Sequence, residues 1–219
     1  MVHRNLMSTT MDPCEALEQL AEERRLALGE EHTETLTAML DLADCLWAQG
    51  RLIAARKLEE RVVKGRCRQL GERHADTLKA IGKLAVTLGA QGDLAEARRL
   101  QEEVVEARRA LFGDTDLETL RAINNLAGTI AAQGDFAAAR ELLEFVLATT
   151  SQEFGEQHPD NLAAMSNLAA VLWQEGDRAE AYALQHQVVE FHTRLHGDND
   201  DATRAAAAVL ASMERDEWF

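Results

Sequence analysis

The chain has 219 residues, a formal net charge of −15, 46% hydrophobic residues, only 5% aromatic residues and two prolines. That acidic balance argues against general nucleic-acid binding, and no run of about 18 apolar residues offers a membrane span. Abundant Ala, Leu, Glu and Arg, with proline only at 13 and 159, favour helix almost throughout.

Residues 1–10 contain Arg4 without an apolar run behind it, so a disordered lead is expected there, not a secretory signal. A lone helix is expected over 11–28. From its end onward glycines recur at a fixed interval. Gly29, Gly71, Gly113, Gly155 and Gly197 are each 42 apart, and Gly50, Gly92, Gly134 and Gly176 form a second series with the same spacing. A period of this length marks a repeat architecture, in which each unit buries its apolar face against its neighbours. Helical pairs are expected over 33–69, 75–111, 117–153 and 159–195. A closing helix is expected over 201–217, with 218–219 as a tail.

The third period shows the logic. Leu120, Ile123, Leu126, Ala127 and Ile130 share one helical face. Gln133-Gly134-Asp135 then breaks the helix, with Gly134 suited to a left-handed end and Asp135 to capping the next helix. Small residues recur where helices must approach closely: Ala43, Ala85, Ala127 and Ala169 in one column, Ala55, Ala97, Ala139 and Ala181 in another. Leu42, Leu84, Leu126 and Leu168 form the large column beside the first, an alternation that lets paired helices interlock. An acid opens each first helix at Glu34, Asp76, Glu118 and Asp160, matching the positive end of the helix dipole. His32, His74 and His158 sit just before these helices and read as turn residues or caps. Cys14, Cys45 and Cys67 show neither metal spacing nor an even framework, so reduced thiols in a cytoplasmic protein are expected. His192 and His196 lie one turn apart without a third ligand beside them, so no metal and no cofactor is expected. No catalytic signature is present either, and no enzyme is expected.

The segments "INNLAGTIAAQGDFAAARELLEFVL" (123–147) and "FGEQHPDNL" (154–162) resemble the tetratricopeptide repeats of kinesin light chains and the nephrocystin-like repeats of bacteria. The resemblance spans about 11–212. It implies an all-α fold, a tetratricopeptide-type helical-hairpin solenoid of about ten helices wound as a right-handed superhelix. The first helix of each pair would line a concave groove that holds peptides. Two departures stand out: Arg51 replaces a capping Asp, and Asp114-Thr115-Asp116 replaces the G-x-x-H turn.

That resemblance places a groove-facing stripe on each first helix. It includes Lys79 and Lys83, then Arg121, Asn124 and Asn125, then Asn167, with Trp47 and Trp173 sharing a column near the helix ends. Gly82, Gly128, Ala163 and Ala170 leave room between them. Residues 51–110 carry 14 Lys+Arg against 9 Asp+Glu, so the one basic stretch of an acidic chain surrounds the lysines. Cations and amides on one wall can hold a carboxylate or a peptide backbone. The expected function is a protein- or peptide-binding scaffold with an acidic or carboxylate-bearing ligand. The alternative is a structural or self-assembling arm of a larger multidomain signalling protein. Self-association through the array ends, or through the Trp218-Phe219 tail with its neighbouring acids, belongs to that picture.

Overall fold

The computed structural model describes residues 12–215. Expectations about the N-terminal lead and about Trp218 and Phe219 lie outside the described residues. Among the described residues there are ten helices and no strand. They are α1 (Pro13–Leu28), α2 (Thr33–Ala48), α3 (Leu52–Leu70), α4 (Ala75–Ala90), α5 (Leu94–Phe112), α6 (Leu117–Ala132), α7 (Phe136–Phe154), α8 (Pro159–Glu175), α9 (Arg178–His196) and α10 (Asp201–Glu214). The chain divides into two compact units, residues 1–93 and 94–219. The first holds α1 to α4 and the second α5 to α10. Within each unit consecutive helices pack on one another, and in the second α6 also meets α8.

The repeat columns explain this packing. Ala43, Ala85, Ala127 and Ala169 are fully buried, as are Ala55, Ala97, Ala139 and Ala181. A methyl at each crossing lets backbones approach, and the buried Leu42, Leu84, Leu126 and Leu168 fill the space beside them. In the second unit Leu120, Ile123, Leu143, Val146 and Leu172 form one continuous core with these columns.

The first helix of each pair starts with a capping side chain. The imidazoles of His32, His74 and His158 each accept, through Nδ1, the backbone N–H two residues on, at 3.2, 3.1 and 3.2 Å. Asp116 and Asp200 do the same work at the equivalent positions, with Asp116 accepting from the Thr119 N–H at 2.9 Å. Arg51 makes no capping bond, as its side chain dictates, whereas Asp135 accepts from the Ala138 N–H at 3.2 Å. Gly134, between α6 and α7, has φ of +87°, a conformation open to glycine at little cost.

The thiol expectation is corrected by the structure: Cys14 and Cys45 are bonded, with sulfurs 2.02 Å apart, and Cys67 alone is free among the described residues. Sequence separation concealed the pair. Cys14 lies in the first turn of α1 and Cys45 in the last turn of α2, and these helices pack against each other.

Candidate protein-recognition surface

In the first unit, Lys79 stands exposed on α4 and has no ion-pair partner among the described residues. Lys83, one turn on, is different. Its ammonium donates to both carboxylate oxygens of Asp44 on α2, at 2.6 and 2.7 Å. Below them lies Glu59 of α3, only 2% exposed. The Thr87 hydroxyl donates to one of its oxygens at 2.9 Å, and the other oxygen has no partner among the described residues. Burial pushes the Glu59 carboxyl above its ordinary value, and Asp44 adds to the rise; the Thr87 bond and Lys83 oppose it without reversing it. Trp47, at the end of α2, is 42% exposed.

In the second unit, the Arg121 guanidinium bridges Asp160 of α8 at 2.8 Å and Glu118 of its own helix at 2.5 Å. The Asp160 bond, with Glu118 behind it, raises its pKa further, so this side chain is a fixed cation already matched by two carboxylates. Asn167 of α8 donates its amide to the Asn124 oxygen of α6 at 3.0 Å, and Asn125 beside it is exposed. Next to the amides an apolar pocket of about 430 Å³ opens between α6, α7 and α8. Gly128, Phe136, Leu143, Ala170 and Val171 line it, with Asn167 and Gln174 at its edge. A β-carbon placed on Gly128 would meet nothing within 4 Å, so a side chain there would enter open space. Trp173 is not on this open face. It is 8% exposed, packed into the core, with the Arg178 guanidinium 4.7 Å above its ring.

The structure thus brings Asn124, Asn125 and Asn167 together with a pocket, leaves Lys79 open, and matches Lys83 and Arg121 with carboxylates in cis. Sequence reasoning missed the repeated polar ties. Arg56, Arg98 and Arg140 each hold the glutamate one turn on, and each also reaches the next first helix at Gln91, Gln133 or Glu175, at 3.3, 3.1 and 3.2 Å. The 42-residue recurrence of these arginines was the available signal. Among the described residues no group of side chains is arranged to hold a metal, and no helix is long and apolar enough to cross a membrane.

These features define a class: a helical-hairpin repeat protein whose first helices expose amides, cations and small residues. Two tetratricopeptide repeat profiles match the sequence, one over 76–144 and 118–181, the other over 35–76 and 161–202. The chain belongs to the tetratricopeptide repeat family, a family of protein-interaction scaffolds, and to its kinesin-light-chain-like type. Nearly identical TPR-like repeats of a kinesin-light-chain-type protein from Podosopora anserina, solved in two forms, are similar to it in sequence and fold. A form with one glutamine replaced by methionine is 30% identical with a TM-score of 0.66, covering 83% of this chain and 85% of that one. The other form is also 30% identical, with a TM-score of 0.63 over 84% and 87%. BtubC (BKLC) from P. vanneervenii shares the fold, with a TM-score of 0.70 and 17% identity over 93% of this chain and 84% of that one. No curated protein matches the sequence.

Proposed function

We propose that the chain is a non-catalytic recognition module that holds a peptide carrying acidic and apolar side chains on its first-helix stripe. The observation behind this reading is the apolar pocket beside Asn124 and Asn167. Such a pocket accepts one bulky side chain, while amides at its rim can bond a peptide backbone. In the first unit, Lys79 supplies an open cation for a ligand carboxylate. Because Asp44 already holds Lys83, a ligand carboxylate there competes with it. The compartment is part of the proposal. The Cys14–Cys45 bond favours oxidising surroundings over the cytoplasm expected from the cysteine count.

The test uses a labelled synthetic peptide of residues 213–219, Met-Glu-Arg-Asp-Glu-Trp-Phe, as probe. A β-carbon at Gly128 meets nothing within 4 Å, so Gly128→Phe can direct its ring into the pocket, and because it replaces a mid-helix glycine the variant should melt no lower than the parent. Its affinity for the peptide should fall by about tenfold or more, which is about 1.4 kcal/mol. Unchanged affinity in the Gly128→Phe variant would remove the pocket from the site.

A further inference from the structure

The positive charge expected in the groove is largely neutralised by Asp44, Asp160 and Glu118, and the unmatched cations of the basic stretch lie mainly elsewhere. Helix α3 carries six basic and two acidic residues. Lys57, Arg61, Lys64 and Arg68 fall at i, i+4, i+7 and i+11, within about 60° of arc and about 16 Å of helix length. All four are exposed. The buried Ala55, Glu59, Val62 and Arg66 occupy the opposite face. Ile53, one turn before Lys57, continues the stripe and is 71% exposed. An open depression of about 680 Å³ bounded by Ile53, Arg56, Lys57 and Glu60 lies at that end.

The stripe already binds carboxylates. Arg61 holds Glu30 at 2.9 Å and Arg68 holds Glu31, both from the turn after α1. Lys57 and Lys64 have no ion-pair partner among the described residues. The repeat does not require this pattern, since the equivalent positions read Arg99, Glu103 and Glu106 on α5 and Glu141 and Phe145 on α7. Solubility does not require it either in a chain of net charge −15. Like charges one turn apart weaken a helix by a few tenths of a kcal/mol per pair, a cost that an acidic partner would relieve. Nucleic acid is disfavoured because the whole chain repels a polyanion and the stripe contains no aromatic ring for a base to stack on.

We propose that the outer face of α3 is a second docking surface, for an acidic helix of a partner protein whose carboxylates match Lys57 and Lys64 and whose apolar end meets Ile53.

The probe is a synthetic helical peptide of about 18 residues with Glu at i, i+4, i+7 and i+11 and Leu one turn beyond one end. The controls are a peptide of the same composition in scrambled order and a single-stranded oligothymidylate. By fluorescence anisotropy at about 0.15 M salt, the ordered peptide should bind about tenfold more tightly than the scrambled one. Lys57→Glu with Lys64→Glu should abolish that preference while helicity and melting stay as in the parent. If the charge reversal disturbs folding, Lys57→Gln with Lys64→Gln should still reduce it. Equal affinity for ordered and scrambled peptides, an unaffected double variant, or tighter binding of the oligothymidylate would each overturn the proposal.

Discussion

Reduction of the Cys14–Cys45 bond is expected to lower the stability of the first unit by about 3–4 kcal/mol. The two cysteines are 31 residues apart, and closing a loop of that length restricts the unfolded chain by this amount in the chain-entropy description. Apart from the bond, α1 is held by modest packing, with Leu17 and Leu20 half-buried against the core. Of its 16 residues only Cys14 and Ala21 are buried, and its polar ties are few. Gln49 donates to the two Asp12 carboxylate oxygens at 3.0 and 3.2 Å, and Arg24 donates to the Glu34 carbonyl at 3.2 Å. The loss should therefore appear first as detachment of α1 from α2, seen as faster amide exchange across 13–28, before the rest of the unit melts. Cys14→Ser with Cys45→Ser should melt alike with and without a dithiol reductant. Cys67→Ser should leave the reductant response intact, because burial, with Glu72, pushes that thiol up and makes it a poor partner for exchange. Identical melting of the parent protein in oxidant and reductant would show that the bond does not hold α1.

Glu59→Gln should stabilise the first unit at neutral pH by about 1–3 kcal/mol, the usual cost of a buried polar group left without its partner. Desolvation raises the folded-state pKa of Glu59 above its ordinary 4.5. A raised folded-state value means that the stabilising protonated form is fully present below the unfolded value. That contribution is lost as the pH climbs through the folded value. The parent protein should therefore lose stability as the pH rises above about 4.5, and the variant should lose less over the same range. The repeat supports the substitution, since Gln101 and Gln185 occupy the equivalent buried positions and Leu143 the remaining one. Thermal melts of both proteins from acid to neutral pH would measure it, and parallel curves would show that Glu59 carries no such penalty.

The fold was legible because its determinants are local and periodic. A glycine at each helix end and an alanine at each crossing repeat every 42 residues, and each acts within its own hairpin. The caps at His32, His74, His158 and Asp135 were readable for the same reason, as was the uncapped start of α3 at Arg51, whereas Asp177 at the start of α9 makes no capping bond. The electrostatics of the candidate surface were not. Lys83 and Asp44, like Arg121 and Asp160, are 39 residues apart and meet only because neighbouring first helices lie side by side. A count of basic residues over 51–110 cannot register such neutralisation. Nor can it distinguish the face of α4 that carries Lys79 and Lys83 from the exposed face of α3. Trp47 and Trp173 share a column, yet one is 42% exposed and the other 8%, because surroundings decide what the column position alone leaves open. The cysteine pair escaped notice because α1, with no partner helix of its own in sequence, gave no register against α2.

The proposed recognition through the first helices, anchored by the α6–α8 pocket, is tested directly by the backbone amide NMR signals of the full chain as the 213–219 peptide is titrated in. Saturable shifts should converge on Asn124, Asn125, Gly128, Asn167 and Ala170, and they should disappear in the Gly128→Phe variant. Shifts confined to the outer faces of the second helices, or none at all while the peptide demonstrably binds, would show that recognition runs elsewhere.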